Sequence, residues 1–267
     1  MKKNKALWFL PILIIIGSYL LFLIYFTYPI SEFSIEKAGQ LGDSFGILNS
    51  LFSGFAFIAL IMTIYLQQEE INNMKKELEK QNFENIFFLI LSKFNDKQNN
   101  DLKSFDKQFE NRYQKFEEMR YKLYEYFKYY SNQFPQDEPT ESIEAYLGVY
   151  NEPHFNLKIY FENLFFIIDF IDNSKLTYET KKIYYKILIN DLTYNELIML
   201  FYHVLTKDKL LKYKYIVEEE SFFEGITHKS LIKECKDLLE YDISAYGKNE
   251  ALIGVYNHCK KKMCSIK

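Results

Sequence analysis

Two stretches of the chain are apolar and free of charge: Ala6 to Phe26, and Phe45 to Leu66. Each is about long enough to cross a bilayer as a helix. A basic tail, Met1 to Lys5, precedes the first. A signal peptide would show a shorter apolar region followed by a small-residue cleavage site, and neither feature is present. Pro11 falls in the first turns, where a missing N–H costs least. Tyr25 and Tyr28 fall where interfacial aromatics are expected. The pattern predicts a transmembrane hairpin over residues 1–66, with spans at about 6–28 and 44–66.

Beyond Leu66 the pattern turns charged. Ile71, Met74 and Leu78 keep a three-four spacing, but Gln67, Gln81 and Asn85 interrupt the seam. This predicts a helical stalk over 67–82, with a coiled-coil seam too short to stand alone. FENIFFLIL follows, apolar nearly all round, and is expected to be buried. From Asn99 to Tyr130 the period is regular: Leu102, Phe105, Phe109, Phe116, Met119, Leu123, Tyr126 and Tyr130, with Arg112 the polar member of that seam. Pro135, Pro139, Gly148 and Pro153 mark a break over 131–152, with a short helix near Thr140 to Leu147. Leu157, Phe161, Leu164, Phe165, Ile168 and Ile171 then define a broad helical face. Thr177 is placed to cap the next helix, through Asn190, and Thr193 with Glu196 forms a capping box for a third. Further helices are expected over Leu210–Val217, Ser230–Tyr241 and Glu250–Met263. No two-residue alternation is sustained. The expected fold is therefore all-α, with a helical cytoplasmic domain over 83–267.

Charge sets the expected topology. Lys2, Lys3 and Lys5 precede the first span, and Lys75, Lys76 and Lys80 follow the second. The intervening Pro29 to Asp43 carries Lys37 against Glu32, Glu36 and Asp43. The positive-inside rule then places both termini in the cytoplasm and makes the lipid bilayer a partner. Around the second span, Gly42, Gly46, Asn49, Ser50, Ser53 and Gly54 share one side, with Ala56. Phe45, Leu48, Phe52, Phe55 and Met62 lie opposite. Small residues let helices approach closely in lipid, and Asn49 needs a partner in hydrocarbon. Two partners fit: the first span near Gly17 and Ser18, or the same face of a second copy, giving a homo-oligomer.

Composition excludes more than it assigns. The net charge is −3, and Arg112 and Arg120 are the arginines of a chain otherwise basic through lysine. That gives no footprint for nucleic acid. No Gly-rich loop leads into a helix with lysine, so nucleotide binding has no support. His154, His203, His228 and His258 share no metal-ligand spacing. Glu234 and Lys236 mimic half of a metal-nuclease motif, on a helix rather than a strand. Neither arginine has a histidine one or two turns on, as helical RNA-cleaving nucleases do. Asp169 and Asp172, one turn apart, are close enough to share a cation. Cys235, Cys259 and Cys264, without CxxC spacing, read as reduced cytoplasmic thiols. No cofactor, metal or catalytic residue is expected. Arg112 stands out as either a buried ion-pair position or a site for an anionic ligand.

Four blocks together resemble the phage abortive infection proteins of the AbiC-like family: GDSFGILNSLFSGFAFIALIMTIYLQQEE, QNFENIFFLIL, LTYNELIMLFYHVL and YKYIVEEESFFEGI. The resemblance implies two N-terminal spans, an all-helical cytoplasmic region, and bacterial antiphage defence at the inner membrane against an unidentified phage or host trigger. It carries over no catalytic residues. The expected function is a non-enzymatic sensor and effector acting through the membrane. The alternatives are a membrane-tethered nuclease and a scaffold that recruits another membrane protein.

Overall fold

The computed structural model describes residues 10–27, 35–104, 111–131, 141–206 and 208–264. Every regular element among them is helical and no strand forms, as the hydrophobic pattern predicts. The chain divides into two units, Met1–Lys75 and Lys76–Lys267. Helix α1 (Leu10–Thr27) lies in the first, and the 70-residue α2 (Ile35–Ser104) contributes to both.

In the first unit, one helix is long and apolar enough to cross a membrane among the described residues, the part of α2 that begins at Phe45. Helix α1 is described over 18 residues, while Ala6 to Phe9 and Tyr28 to Ser34 lie outside the described residues. One apolar helix, rather than a hairpin of two, is what the structure establishes. Helix α2 also starts at Ile35, inside the stretch expected to be an external loop.

The second unit holds α3 (Arg112–Ser131), α4 (Glu141–Tyr150), α5 (Leu157–Asp172), α6 (Tyr178–Asp191), α7 (Tyr194–Val204), α8 (Leu211–Glu219), α9 (Glu234–Leu238) and α10 (Glu250–Cys264). Helix α7 is its centre, buried from Asn195 through Val204 because NELIMLFYHV is apolar on nearly every side. Its start is fixed by the expected capping box: Glu196 N–H donates to Thr193 Oγ1 at 3.4 Å, and Thr193 N–H donates to Glu196 Oε2 at 2.7 Å. Helix α5 adds Leu157, Phe161, Leu164, Phe165, Ile168 and Ile171, all buried as the spacing predicts. Helices α3 and α4 pack closely through Phe116, Met119 and Leu123 against one helix face bearing Ala145, Tyr146 and Val149. Gly148 permits the approach, since a Cβ there would lie 2.8 Å from the Tyr126 ring.

Several expectations are corrected. FENIFFLIL is not buried all round: Phe83, Phe87 and Leu91 are buried, whereas Ile86, Phe88 and Leu89 are exposed. Helix α2 turns one face to the core, where Phe83 stacks on Phe170 at 4.9 Å and meets Tyr184 at 4.8 Å. The Asn99–Tyr130 period is not one helix, for α2 ends at Ser104 and α3 starts at Arg112; Phe105 and Phe109 lie outside the described residues. So do residues 132–140 of the predicted break, including Pro135 and Pro139. Thr177 stands at the N-cap of α6, but its hydroxyl meets that of Thr180 at 2.8 Å instead of a backbone N–H. The helix expected over Ser230–Tyr241 shortens to the five residues of α9. Cys235 and Cys259, expected to lie apart as thiols without a partner, are bonded to each other in the structure. The packing of α10 on α9 brings their Cα atoms to 5.3 Å across 24 residues of sequence, a proximity that spacing along the chain does not reveal.

Candidate functional site

Arg112, the polar member of an otherwise apolar seam, opens α3 and points into the second unit with 13% of its side chain exposed. Its Nε donates to Glu196 Oε1 at 2.5 Å, and its Nη1 donates to Asn95 Oδ1 at 2.7 Å. Asp191 Oδ2 lies 3.6 Å from Nη1, and Asn95 Nδ2 closes the ring by donating to Asp191 Oδ1 at 3.0 Å. Tyr160, fully buried on α5, donates its hydroxyl to Glu196 Oε1 at 2.8 Å. Below the guanidinium, its carbon sits 5.3 Å from the centre of the Phe94 ring. One side chain thus gathers groups from α2, α3, α5, α6 and α7.

Electrostatics hold this junction together. Burial disfavours the charged guanidinium, but Glu196, Tyr160 and Asp191 outweigh it, so its pKa stands above the ordinary arginine value. Burial first, and then the Glu196 charge, hold the Tyr160 phenol neutral well above the usual tyrosine range. Glu196 has no exposed side-chain surface and four donors: Arg112, Tyr160, and the N–H and hydroxyl of Thr193. Arg112 Nη2 and Asp191 Oδ2 are buried without a hydrogen bond. One positive charge faces two carboxylates, so the guanidinium already has its counter-ions within the protein. The arrangement fits fixing the register of five helices better than chemistry on a ligand.

The remaining candidates are scattered. Asp169 and Asp172 do share a cation, the Lys212 ammonium, at 2.8 and 3.1 Å. His203 is buried, stacked on Phe161 at 3.9 Å and hydrogen-bonded to the Tyr146 hydroxyl at 2.9 Å. Phe201, Tyr202, Phe222 and Phe223 are core residues. Among the described residues, no group of His, Cys, Asp or Glu is arranged to hold a metal ion. In the first unit, a Cβ on Gly17, Gly42, Gly46 or Gly54 would meet nothing within 4 Å, and Asn49, Ser50 and Ser53 are exposed. The small-residue face is therefore unfilled at its glycines. Sequence reasoning missed Glu196, Asn95, Tyr160 and Asp191 as partners of Arg112. The usable signal is Glu196, a charge inside an apolar helix whose capping role occupies Oε2 and leaves Oε1 for other donors.

Residues 152–231 match a family model described as "Putative phage abortive infection protein". That is the family the sequence resembles. The match takes in α5 to α8 and two of the four resembling blocks, LTYNELIMLFYHVL and YKYIVEEESFFEGI. It also divides the Arg112 junction in an informative way. Tyr160, Asp191 and Glu196, the phenol and both carboxylates, lie within the matched segment, while Arg112 and Asn95 come from outside it. No curated protein and no solved structure matches the chain. The family match supports a role in phage defence in general terms.

Proposed function

We propose that this protein is a membrane-anchored abortive infection protein of the bacterial inner membrane, without enzymatic chemistry of its own, whose helical domain senses infection. The observation that carries the reading is the exposure of α2. Between Phe45 and Leu66, twelve large apolar side chains are exposed. At about 1.5 kcal/mol or more for each side chain left unburied, this represents on the order of 20 kcal/mol of burial unrealised in water. A bilayer supplies that burial, and α1 provides the second apolar segment of a hairpin. Lysines flanking both segments support a topology with the termini and the second unit in the cytoplasm.

Action through the membrane rests on the small-residue face. Since the chain leaves Gly42, Gly46 and Gly54 uncovered, the same face of a second copy is the partner that fits, with Asn49 hydrogen-bonded across the pair. The Arg112 junction links this face to the sensor, because Asn95 belongs to the same helix as Gly46. A trigger that shifts α5 to α7 would disturb Asn95 and alter how the spans associate, with membrane damage or arrest as the outcome. Cutting the chain before Gln67 tests the anchoring: the soluble remainder should give no protection in a phage plaque assay. Full protection by that remainder would end the proposal.

A further inference from the structure

Cys235 on α9 and Cys259 on α10 are bonded, yet the second unit is read above as cytoplasmic, where glutathione and thioredoxin keep thiols reduced. In that compartment such a bond is a transient state, made on oxidation and removed by exchange. What it controls follows from α10. Leu252, Tyr256 and Cys259 are buried at successive turns of that helix, whereas Ala251, Asn257, His258, Lys260 and Met263 are exposed. Its start is pinned by Asn249, whose side chain donates to the Glu224 carbonyl at 2.7 Å and accepts from Leu252 N–H at 3.1 Å. Among the described residues, its later turns are buried at Tyr256 and Cys259, with Val255 partly buried against the core. Helix α9 is more firmly held. Asp237 accepts from the Tyr202 hydroxyl at 2.7 Å and from Lys233 N–H at 2.8 Å, and the Leu238 carbonyl accepts from the Tyr246 hydroxyl at 2.7 Å.

We propose that Cys235 and Cys259 form an oxidation-dependent clamp that fixes the C-terminal helix α10 onto α9, and through Tyr202 onto the central α7. The clamp rests on the cytoplasmic placement proposed above. Cys235 is half-buried and Cys259 is 1% exposed, so an oxidant reaches Cys235 first. The oxidant class is a hydroperoxide. The Cys235 thiolate attacks one peroxide oxygen, the O–O bond breaks, and water leaves after taking up a proton, giving a sulfenic acid. The Cys259 thiol attacks that sulfur, the S–S bond forms, and a second water departs. Two thiols lose two electrons and one hydrogen peroxide gains them. A cellular dithiol reverses the change by exchange at the more accessible Cys235, leaving two thiols and its own disulfide.

The test uses the full chain. Cells producing it are quenched in acid with and without a brief hydrogen peroxide pulse, and free thiols are counted by maleimide mass tagging. All three cysteines should react in unstressed cells, and only Cys264 after peroxide. Purified protein in detergent, reduced or oxidised, is then followed by hydrogen exchange. On reduction, amides over 255–264 should exchange at least tenfold faster while those of α7 stay unchanged, and Cys235→Ser should reproduce the reduced pattern. A bond already present in unstressed cells, or equal exchange in the two forms, would overturn the clamp and leave the membrane reading standing. Labelling of Cys264 by an impermeant maleimide outside intact spheroplasts would overturn the cytoplasmic placement, and the clamp with it.

Discussion

Replacing Arg112 with methionine keeps an unbranched apolar stem and removes the charge from the middle of the junction. Glu196, with no exposed side-chain surface, then stays buried without its cation, and Asn95 Oδ1 loses its donor. Breaking a buried ion pair from one side typically costs about 3–5 kcal/mol. The structure points to the lower end. Glu196 Oε1 keeps the Tyr160 hydroxyl, and Oε2 keeps both Thr193 donors, so the stranded carboxylate remains hydrogen-bonded. A loss of about 3 kcal/mol is a large share of the 5–15 kcal/mol that holds a typical domain together. It corresponds to a fall in melting temperature of roughly 6–12 °C for a unit of this size. Urea unfolding of the full chain in detergent, followed by helical circular dichroism, measures it. Arg112→Lys should recover only part of the loss, because one ammonium cannot occupy the Nε and Nη1 positions together. A double-mutant cycle with Glu196→Gln should give a coupling of about 2 kcal/mol. A loss under about 1 kcal/mol, or strict additivity with Glu196→Gln, would refute the view of Arg112 as the pin of the helical unit.

Other outcomes follow from particular contacts. Burial, partly offset by hydrogen bonds from Lys233 N–H and the Tyr202 hydroxyl, holds the Asp237 carboxyl above its ordinary pKa. A carboxyl raised in the folded state adds stability below its unfolded pKa that is lost as pH rises through the folded value. Asp237→Asn should therefore gain on the unmutated protein as pH climbs from about 4 towards 7, read as urea midpoints at each pH; parallel midpoints would count against it. Gly148→Val should cost about 2 kcal/mol or more in the same unfolding assay, because its side chain meets the Tyr126 ring. Gly46→Leu should leave the unfolding of the second unit unchanged, since a Cβ there meets nothing. Lys212→Met should cost under about 1 kcal/mol, its pairs with Asp169 and Asp172 being substantially exposed.

Much of the helical unit was legible because its signals are local. The capping box at Thr193, the apolar face of α5 and the bounds of α6, α8 and α10 each follow from residues within one helix. What escaped depends on neighbours distant in sequence. FENIFFLIL is apolar nearly all round, yet the side that meets the core is the one facing Phe170 and Tyr184. Arg112 was conspicuous, but its acceptor Glu196 lies 84 residues away and was fully explained by its capping role. The cysteines looked unpaired because nothing in their spacing says that α10 returns to α9. The seam whose period runs unbroken through the sequence from Asn99 to Tyr130 is shared between two helices, α2 and α3.

The proposed action through the membrane is tested most directly by recording membrane potential with a voltage-sensitive dye during phage infection. Cells carrying the unmutated protein should be compared with cells carrying Gly46→Leu. The account predicts collapse of the potential in the former and its persistence in the latter, with protection from phage lost in parallel. Protection that survives with the potential intact in both strains would contradict it.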